Sequence, residues 1–149
     1  MKGQVLHFTI PGKPQGKGRA RATARGGFAR MYTPKKTVDY MNAVKAAFLK
    51  AYPGHKPWDG PVMLGVKAYF DVPKSWSKAR RRQAEAIFMQ HIAKPDLSNI
   101  VKGIEDALNG AVYVDDSQIC RYATSYKKYS TVCAYVDVVI TRIAQEDGG

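Results

Sequence analysis

Lys94-Pro-Asp96-Leu-Ser98-Asn-Ile-Val-Lys102-Gly-Ile-Glu-Asp-Ala-Leu-Asn-Gly110-Ala-Val-Tyr-Val-Asp115-Asp116-Ser-Gln118 reads as a short amphipathic helix, a turn and a strand, with acidic side chains at both ends. Leu97, Ile100, Val101, Ile104, Ala107 and Leu108 recur at helical spacing and form one apolar stripe. Ser98, Asn99, Lys102, Glu105, Asp106 and Asn109 occupy the polar side. Asp96 stands where an N-cap belongs, and Asn109-Gly110 supply a C-cap and a turn. Such a turn folds a strand over 111–114 back along the helix and carries Asp116 toward Asp96. Converging carboxylates repel unless a cation or a proton neutralises them. Each residue also has an ordinary reading. Asp96 alone is a helix cap, Asp115-Asp116 alone is a turn, and Lys102 and Asp106 are spaced as an i,i+4 surface pair.

This acidic unit lies in a strongly basic chain. The 149 residues carry a formal charge of +12, and the sequence pI is about 9.8. A balance of that kind is the electrostatic footprint of a protein that binds nucleic acid. A basic protein with an acidic pocket reads as a metal-dependent nuclease: the surrounding charge holds the polyanion, and the pocket holds the ion that cuts it. The length predicts a single domain, and 45% hydrophobic residues suffice for a core. No apolar run approaches a membrane span. The opening MKGQVLHFTIPG lacks the uninterrupted apolar stretch of a signal peptide, so the expected compartment is the cytoplasm. Cys120 and Cys133 have no metal-ligand spacing and are expected as small buried side chains on strands.

Gln4 to Ile10 alternates as a first strand and stops at Pro11-Gly12. A flexible basic arm is expected over about 13–32. It contains Lys13, Lys17, Arg19, Arg21, Arg25 and Arg30, and no acid precedes Asp39. Its glycines and lack of apolar period argue for a loop, and Phe28 and Tyr32 among the arginines suit contact with phosphates and bases. Thr33-Pro34 predicts an N-cap and first position of a helix running to about Ala51, with Val38, Met41, Val44, Ala47 or Phe48, and Ala51 as its stripe. Met63 to Val72 predicts a strand, with Leu64, Val66, Ala68 and Phe70 on one face. A second helix is expected from Trp76 to about Gln90, bearing the basic cluster Lys78, Arg80, Arg81 and Arg82. Gln118 to Ser125 predicts a strand followed by a turn at Lys127-Lys128, and Thr131 to Ile143 the clearest strand of all. Strands and helices do not alternate throughout, which predicts an α+β fold: a small mixed or antiparallel sheet packed against helices.

The block KPDLSNIVKGIEDALNGAVYVDDSQI closely resembles the RusA family of Holliday junction resolvases, common in phages and prophages. The arm followed by YTPKKT is also similar to the family's longer members, and the resemblance runs from about Phe8 to about Ile143. It implies a small homodimeric α+β endonuclease that uses Mg²⁺ or Mn²⁺ to nick two strands of a four-way DNA junction symmetrically. The implied setting is the cytoplasm of a bacterium or a phage-infected cell. On the family signature, Lys-Pro-Asp-x-Asp-Asn, a helix lysine, Asp-Ala-Leu-Asn-Gly and Asp-Asp-Ser-Gln, the first aspartate falls on Asp96, the lysine on Lys102 and the late catalytic aspartate on Asp116. The implied metal ligands are Asp96 and Asp116, with Asp115 next, and the implied catalytic residues are Asp96, Asp116 and Lys102.

One position departs from the signature. The family's second aspartate, two residues after the first, is Ser98 here. A hydroxyl is a weak ligand for a hard cation. Either water, Asp115, Glu105 or Asp106 fills in, or the protein binds junctions with weak or no cutting, or the residue is altered from the natural one. Two further readings come from other classes. The arm with Tyr122, Tyr126 and Tyr129 suggests an RNA-binding module, although no RNA-recognition motif is visible. His7, His55 and His91 lack the nucleophile–base arrangement of a histidine hydrolase and read as surface or packing residues.

Overall fold

The structure is a computed structural model, and it describes residues 4–18, 21–23 and 30–144. Along the chain run β1 (Val5–Pro11), β2 (Arg21–Thr23), β3 (Arg30–Tyr32), α1 (Lys35–Ala51), β4 (Val62–Asp71), α2 (Lys78–Ala86), α3 (Leu97–Ala107), β5 (Ile119–Tyr122), β6 (Tyr126–Ser130) and β7 (Tyr135–Arg142). A mixed five-stranded sheet has the order β1-β7-β4-β5, with β6 also paired to β4. Together with the helices it is the expected α+β arrangement.

Alternation sets the register. Strand side chains point to opposite faces with period two, so apolar partners must line up across the sheet. Phe8, Val138 and Val66 form one such row, and Ile10, Val136 and Ala68 another. Every one of these six is buried. Val44 and Phe48 of α1 and Ile100, Ile104 and Leu108 at α3 close the same core from one side.

β4 pairs with β5 and β6 in parallel and with β7 antiparallel. A parallel partner needs a crossover, and the α2–α3 segment supplies it. β5 and β6 lie end to end along one edge of β4, broken at Ala123 to Ser125. There Ala123 N donates to Leu64 O at 2.8 Å and Val66 N donates to Ser125 Oγ at 2.9 Å. A Cβ at Gly65 would stand 3.0 Å from the Ala123 Cβ, a crowded contact that glycine avoids at the break.

Several expectations are corrected. Lys127-Lys128 is not a turn but part of β6. The Lys127 ammonium donates to Ala93 O at 2.8 Å and Pro95 O at 2.9 Å, so it pins the loop entering α3. Residues 111–114 are not a strand. They form a turn around Gly110, whose φ is +76°, and Tyr113 makes only isolated bridges to Trp58 and Asn109. α2 is shorter than expected because Ser77 Oγ accepts from Arg80 N at 3.1 Å and sets its start, while Phe88, at φ +49°, lies beyond its end. The α1 N-cap is Pro34 rather than Thr33, and Val38 faces solvent while Thr37 is buried. The last strand begins at Tyr135, with Val132 outside it and exposed. Both cysteines are exposed, and Cys133 precedes β7 rather than lying on a strand.

The arm contains structure the sequence did not announce. β2 and β3 pair as an antiparallel hairpin. Before it, residues 16–18 pack against α1 and α3. Among the described residues, no helix is long and apolar enough to cross a membrane.

Candidate active site

α3 is built into the core on one side, with Ile100, Ile104 and Ala107 buried, and its other side carries the predicted chemistry. Asp96 takes the N-cap position, yet its side chain makes no cap hydrogen bond. Both carboxylate oxygens instead accept from Lys94 Nζ, at 2.8 and 3.0 Å. That hydrogen bond, reinforced by the charges of Lys94 and Lys127, holds the Asp96 carboxyl below its usual range. Ser98, one residue into the helix, is exposed.

The turn after α3 returns the chain along the helix. Tyr113 is fully buried, and its hydroxyl donates to Glu105 O at 2.7 Å. A 3-10 turn, Asp116–Gln118, follows. It brings Asp116 to Lys102, with Nζ 3.4 Å from Oδ2, and Lys102 Nζ is 3.6 Å from Asp106 Oδ1. The charge of Asp106, then the hydrogen bond to Asp116, raise the Lys102 pKa above its ordinary value, so it stays cationic at neutral pH. Asp116 therefore meets the middle of α3. Asp96 lies six residues before Lys102 in the chain, about 9 Å of helical rise. The structure brings Lys102, Asp106 and Asp116 together and leaves Asp96 on Lys94.

The carboxylates proposed to replace the missing aspartate at Ser98 are already engaged. Asp115 accepts from Ser117 N at 3.0 Å and forms a capping box with Gln118. Hydrogen bonds from Ser117 hold its carboxyl below the usual range. Glu105 is buried and accepts a hydrogen bond from the Tyr122 hydroxyl. That bond, followed by burial, pushes Tyr122 up to about 12. Asp106 Oδ2 accepts from Lys17 Nζ at 2.5 Å. Among the described residues, no group of three or more His, Cys, Asp or Glu is disposed to hold an ion.

Three partners here were not legible from spacing. Lys17 was expected on the DNA-facing arm and lies against α3. Gln118 Nε2 donates to Trp58 O at 2.8 Å and Gly60 O at 2.9 Å, anchoring the turn that carries Asp116. Tyr122 ties β5 to α3 through Glu105. Of the other arm residues, Lys13 and Arg30 are exposed. Arg19 and Arg25 lie outside the described residues, as does the side chain of Arg21.

The remaining candidates belong to packing. His91 is buried, with its ring 3.7 Å from that of Phe70 and nearly parallel to it. Burial and the nearby Lys127 and Lys13 lower its pKa. His55 bonds Val112 O at 3.0 Å, and His7 is 3.5 Å from Asp137. Tyr126 shares a 2.6 Å hydroxyl–hydroxyl contact with Tyr69, and Tyr129 packs on Trp76 and His91. Arg81 donates to Trp76 O, Pro73 O and Lys74 O, so part of the basic cluster serves its own turn.

Two comparisons with known proteins bear on this geometry. Residues 11–141 match the family described as Endodeoxyribonuclease RusA. The chain is also similar to an uncharacterized protein, YqaN, of Bacillus subtilis (strain 168), at 34% identity over 141 residues, covering 93% of this chain and 97% of that one. The matched region takes in the sheet except for β1, all three helices and the Lys102–Asp116 pair, and on that extent the chain belongs to the RusA endodeoxyribonuclease family, the Holliday junction resolvases.

Proposed function

We propose that this protein is a divalent-metal-dependent endonuclease that resolves four-way DNA junctions by paired symmetric nicks. The observation that carries the reading is the Lys102–Asp116 pair at 3.4 Å on the exposed side of α3, in a chain of charge +12. Asp96, Asp116 and Lys102 are the proposed catalytic residues.

The donor chemistry fits a hard cation. Asp96 and Asp116 offer carboxylate oxygens only, and each pairs with a lysine that is more than half exposed. Exposed ion pairs of this kind are screened by solvent and contribute little, so they give way readily to a stronger ligand. Mg²⁺ keeps several waters and binds through one or two carboxylates plus substrate phosphate, so it does not require a ready-made cage. Asp116 would hold it beside Lys102, with Asp96 joining once Lys94 releases it and the loop before α3 closes the gap between them, Asp115 being the next candidate and Mn²⁺ able to substitute. When bound, such an ion lowers the pKa of a coordinated water and offsets charge on the phosphate. Lys102 places an ammonium beside Asp116, where it stabilises negative charge growing on the scissile phosphate. Lys13, Arg19, Arg21, Arg25 and Arg30 hold flanking phosphates, each contact adding to the salt dependence of binding. A four-way junction has approximate two-fold symmetry, and an isologous homodimer matches it with two equivalent sites. The proposed place of action is the cytoplasm of a bacterium or phage-infected host.

A second reading is a junction-binding protein with weak or lost cutting. It is favoured by Ser98 together with the engagement of Glu105, Asp106 and Asp115 described above. Cleavage of a synthetic four-way junction in Mg²⁺ or Mn²⁺ separates the two. Cutting by the unaltered chain, lost in Asp116→Asn while gel-shift binding persists, supports the nuclease. No cutting by the unaltered chain, with robust cutting by Ser98→Asp, supports the binding protein. Size-exclusion chromatography with light scattering tests the dimer.

A further inference from the structure

The basic segment before the hairpin enters the acidic site. Lys17 N donates to Asn99 O at 3.1 Å, and Lys17 Nζ donates to Asp106 Oδ2 at 2.5 Å. On either side, two glycines permit the approach. A Cβ at Gly16 would stand 3.0 Å from the Pro95 Cβ and 3.2 Å from the Asn99 Cβ. Gly18 N donates at 2.9 Å to the hydroxyl of Thr37, itself buried in α1. Three consecutive residues are thus tied down between α1 and α3. The backbone of Lys17 passes over Gly103, where even an added methyl would meet it at van der Waals distance.

A lysine held this way differs from one waiting for a phosphate. Its partner carboxylate is only 17% exposed, and its own side chain 34%. Asp106 has a second ammonium neighbour, Lys102 at 3.6 Å, and Lys102 in turn lies 3.4 Å from Asp116. Attraction falls with distance, so the closer Lys17 claims Asp106 first. Without Lys17, Asp106 becomes a largely buried carboxylate whose nearest cation is Lys102, one helical turn away. A charge buried without a partner is costly, so Lys102 swings into full pairing with it and leaves Asp116.

We propose that Lys17 is a positioning residue of the active site: by satisfying Asp106 it keeps Lys102 directed at Asp116 and at the phosphate bound there. This rests on reading the site as a nuclease. It reassigns Lys17 from general DNA attraction to the chemistry of the cut.

The test is single-turnover cleavage of a synthetic four-way junction with Mn²⁺, beside junction affinity across a salt series in metal-free buffer. The proteins are the unaltered chain, Lys17→Met, Lys17→Arg, Lys13→Met and the double variant Lys17→Met/Asp106→Asn. Lys17→Met is expected to cut about 10–100-fold more slowly, the usual cost of removing a group that orients a ligand or catalytic residue. Its affinity should fall no further than that of Lys13→Met. Lys17→Arg should restore cutting. The double variant, which leaves no lone carboxylate and so also guards against misfolding, should recover most of the rate. Unaltered cutting by Lys17→Met overturns the proposal. So does slowing matched by lost affinity and a shallower salt slope, with no relief from Asp106→Asn. An unaltered chain that never cuts with Mn²⁺ defeats the nuclease reading itself and takes this role with it. An unaltered chain that cuts, beside an unaffected Lys17→Met, removes the positioning role alone.

Discussion

Two helices follow β4, both carrying charged clusters singled out in the sequence, and they are built in opposite ways. α2 buries one residue, Ala84. Its arginines turn back on their own surroundings: Arg81 onto the carbonyls of Pro73, Lys74 and Trp76, and Arg80 over the Trp76 ring at 4.0 Å. α3 buries Ile100, Gly103, Ile104, Glu105 and Ala107, and its polar residues are paired with partners from β5, the 3-10 turn and the N-terminal segment. Chemistry that depends on fixed distances belongs on an element whose opposite face cannot move. A helix held by one buried alanine presents charge well enough for a polyanion, but not geometry.

The largest test of that contrast is in the core. Ile104 is fully buried, and Ile104→Ala should cost about 2–5 kcal/mol, a large fraction of a small domain's stability. Urea denaturation would show it, and a loss no greater than that of a surface substitution would mean that α3 is not anchored as described.

A smaller effect is expected where α3 is tied to β5. Tyr122→Phe removes the donor to Glu105 and leaves a buried carboxylate short of a partner, which costs about 1–3 kcal/mol. Glu105→Gln keeps an acceptor and should be milder. Comparing the melting temperatures of the two variants ranks them, and the reverse order would show that the charge of Glu105 contributes more to stability than the hydrogen bond from Tyr122 does.

The pH dependence sharpens the comparison on the α2 side. His91 lies in the segment joining α2 to α3, and its pKa is lowered chiefly by burial. The unfolded chain therefore takes up the proton more readily than the native state. The contribution of neutral His91 is complete above the unfolded histidine pKa, about 6.5, and fades as pH falls below it toward the lower native value. The melting temperature should drop between about pH 7 and 5, and less steeply in His91→Phe, which keeps the stack on Phe70. Parallel pH profiles would assign the drop to other groups.

The least effect belongs to the exposed arginines of α2. Arg82→Ala should change stability by no more than about 0.5 kcal/mol while modestly weakening junction binding at low salt. A loss of several kcal/mol would place Arg82 in a contact that the contrast denies.

What the sequence alone determined is local. The apolar spacing of α3 and the alternations in β1, β4 and β7 are written in successive residues, because helix and strand faces repeat every 3.6 and 2 positions. The same logic misread Lys127-Lys128 as a turn, since charge marks a loop only until carbonyls such as Ala93 O and Pro95 O are within reach. It also placed a strand over 111–114, where the backbone serves Trp58 and the helix instead of a sheet. The signature picked out Asp96, Lys102 and Asp116, and only the fold decided which of them meet. Lys17 and Asp106 are 89 residues apart, and Tyr122 and Glu105 lie on different elements. No local period records such pairs: they exist because β4 takes a parallel partner, the crossover lays α3 against α1, and the N-terminal glycines allow backbone into the gap.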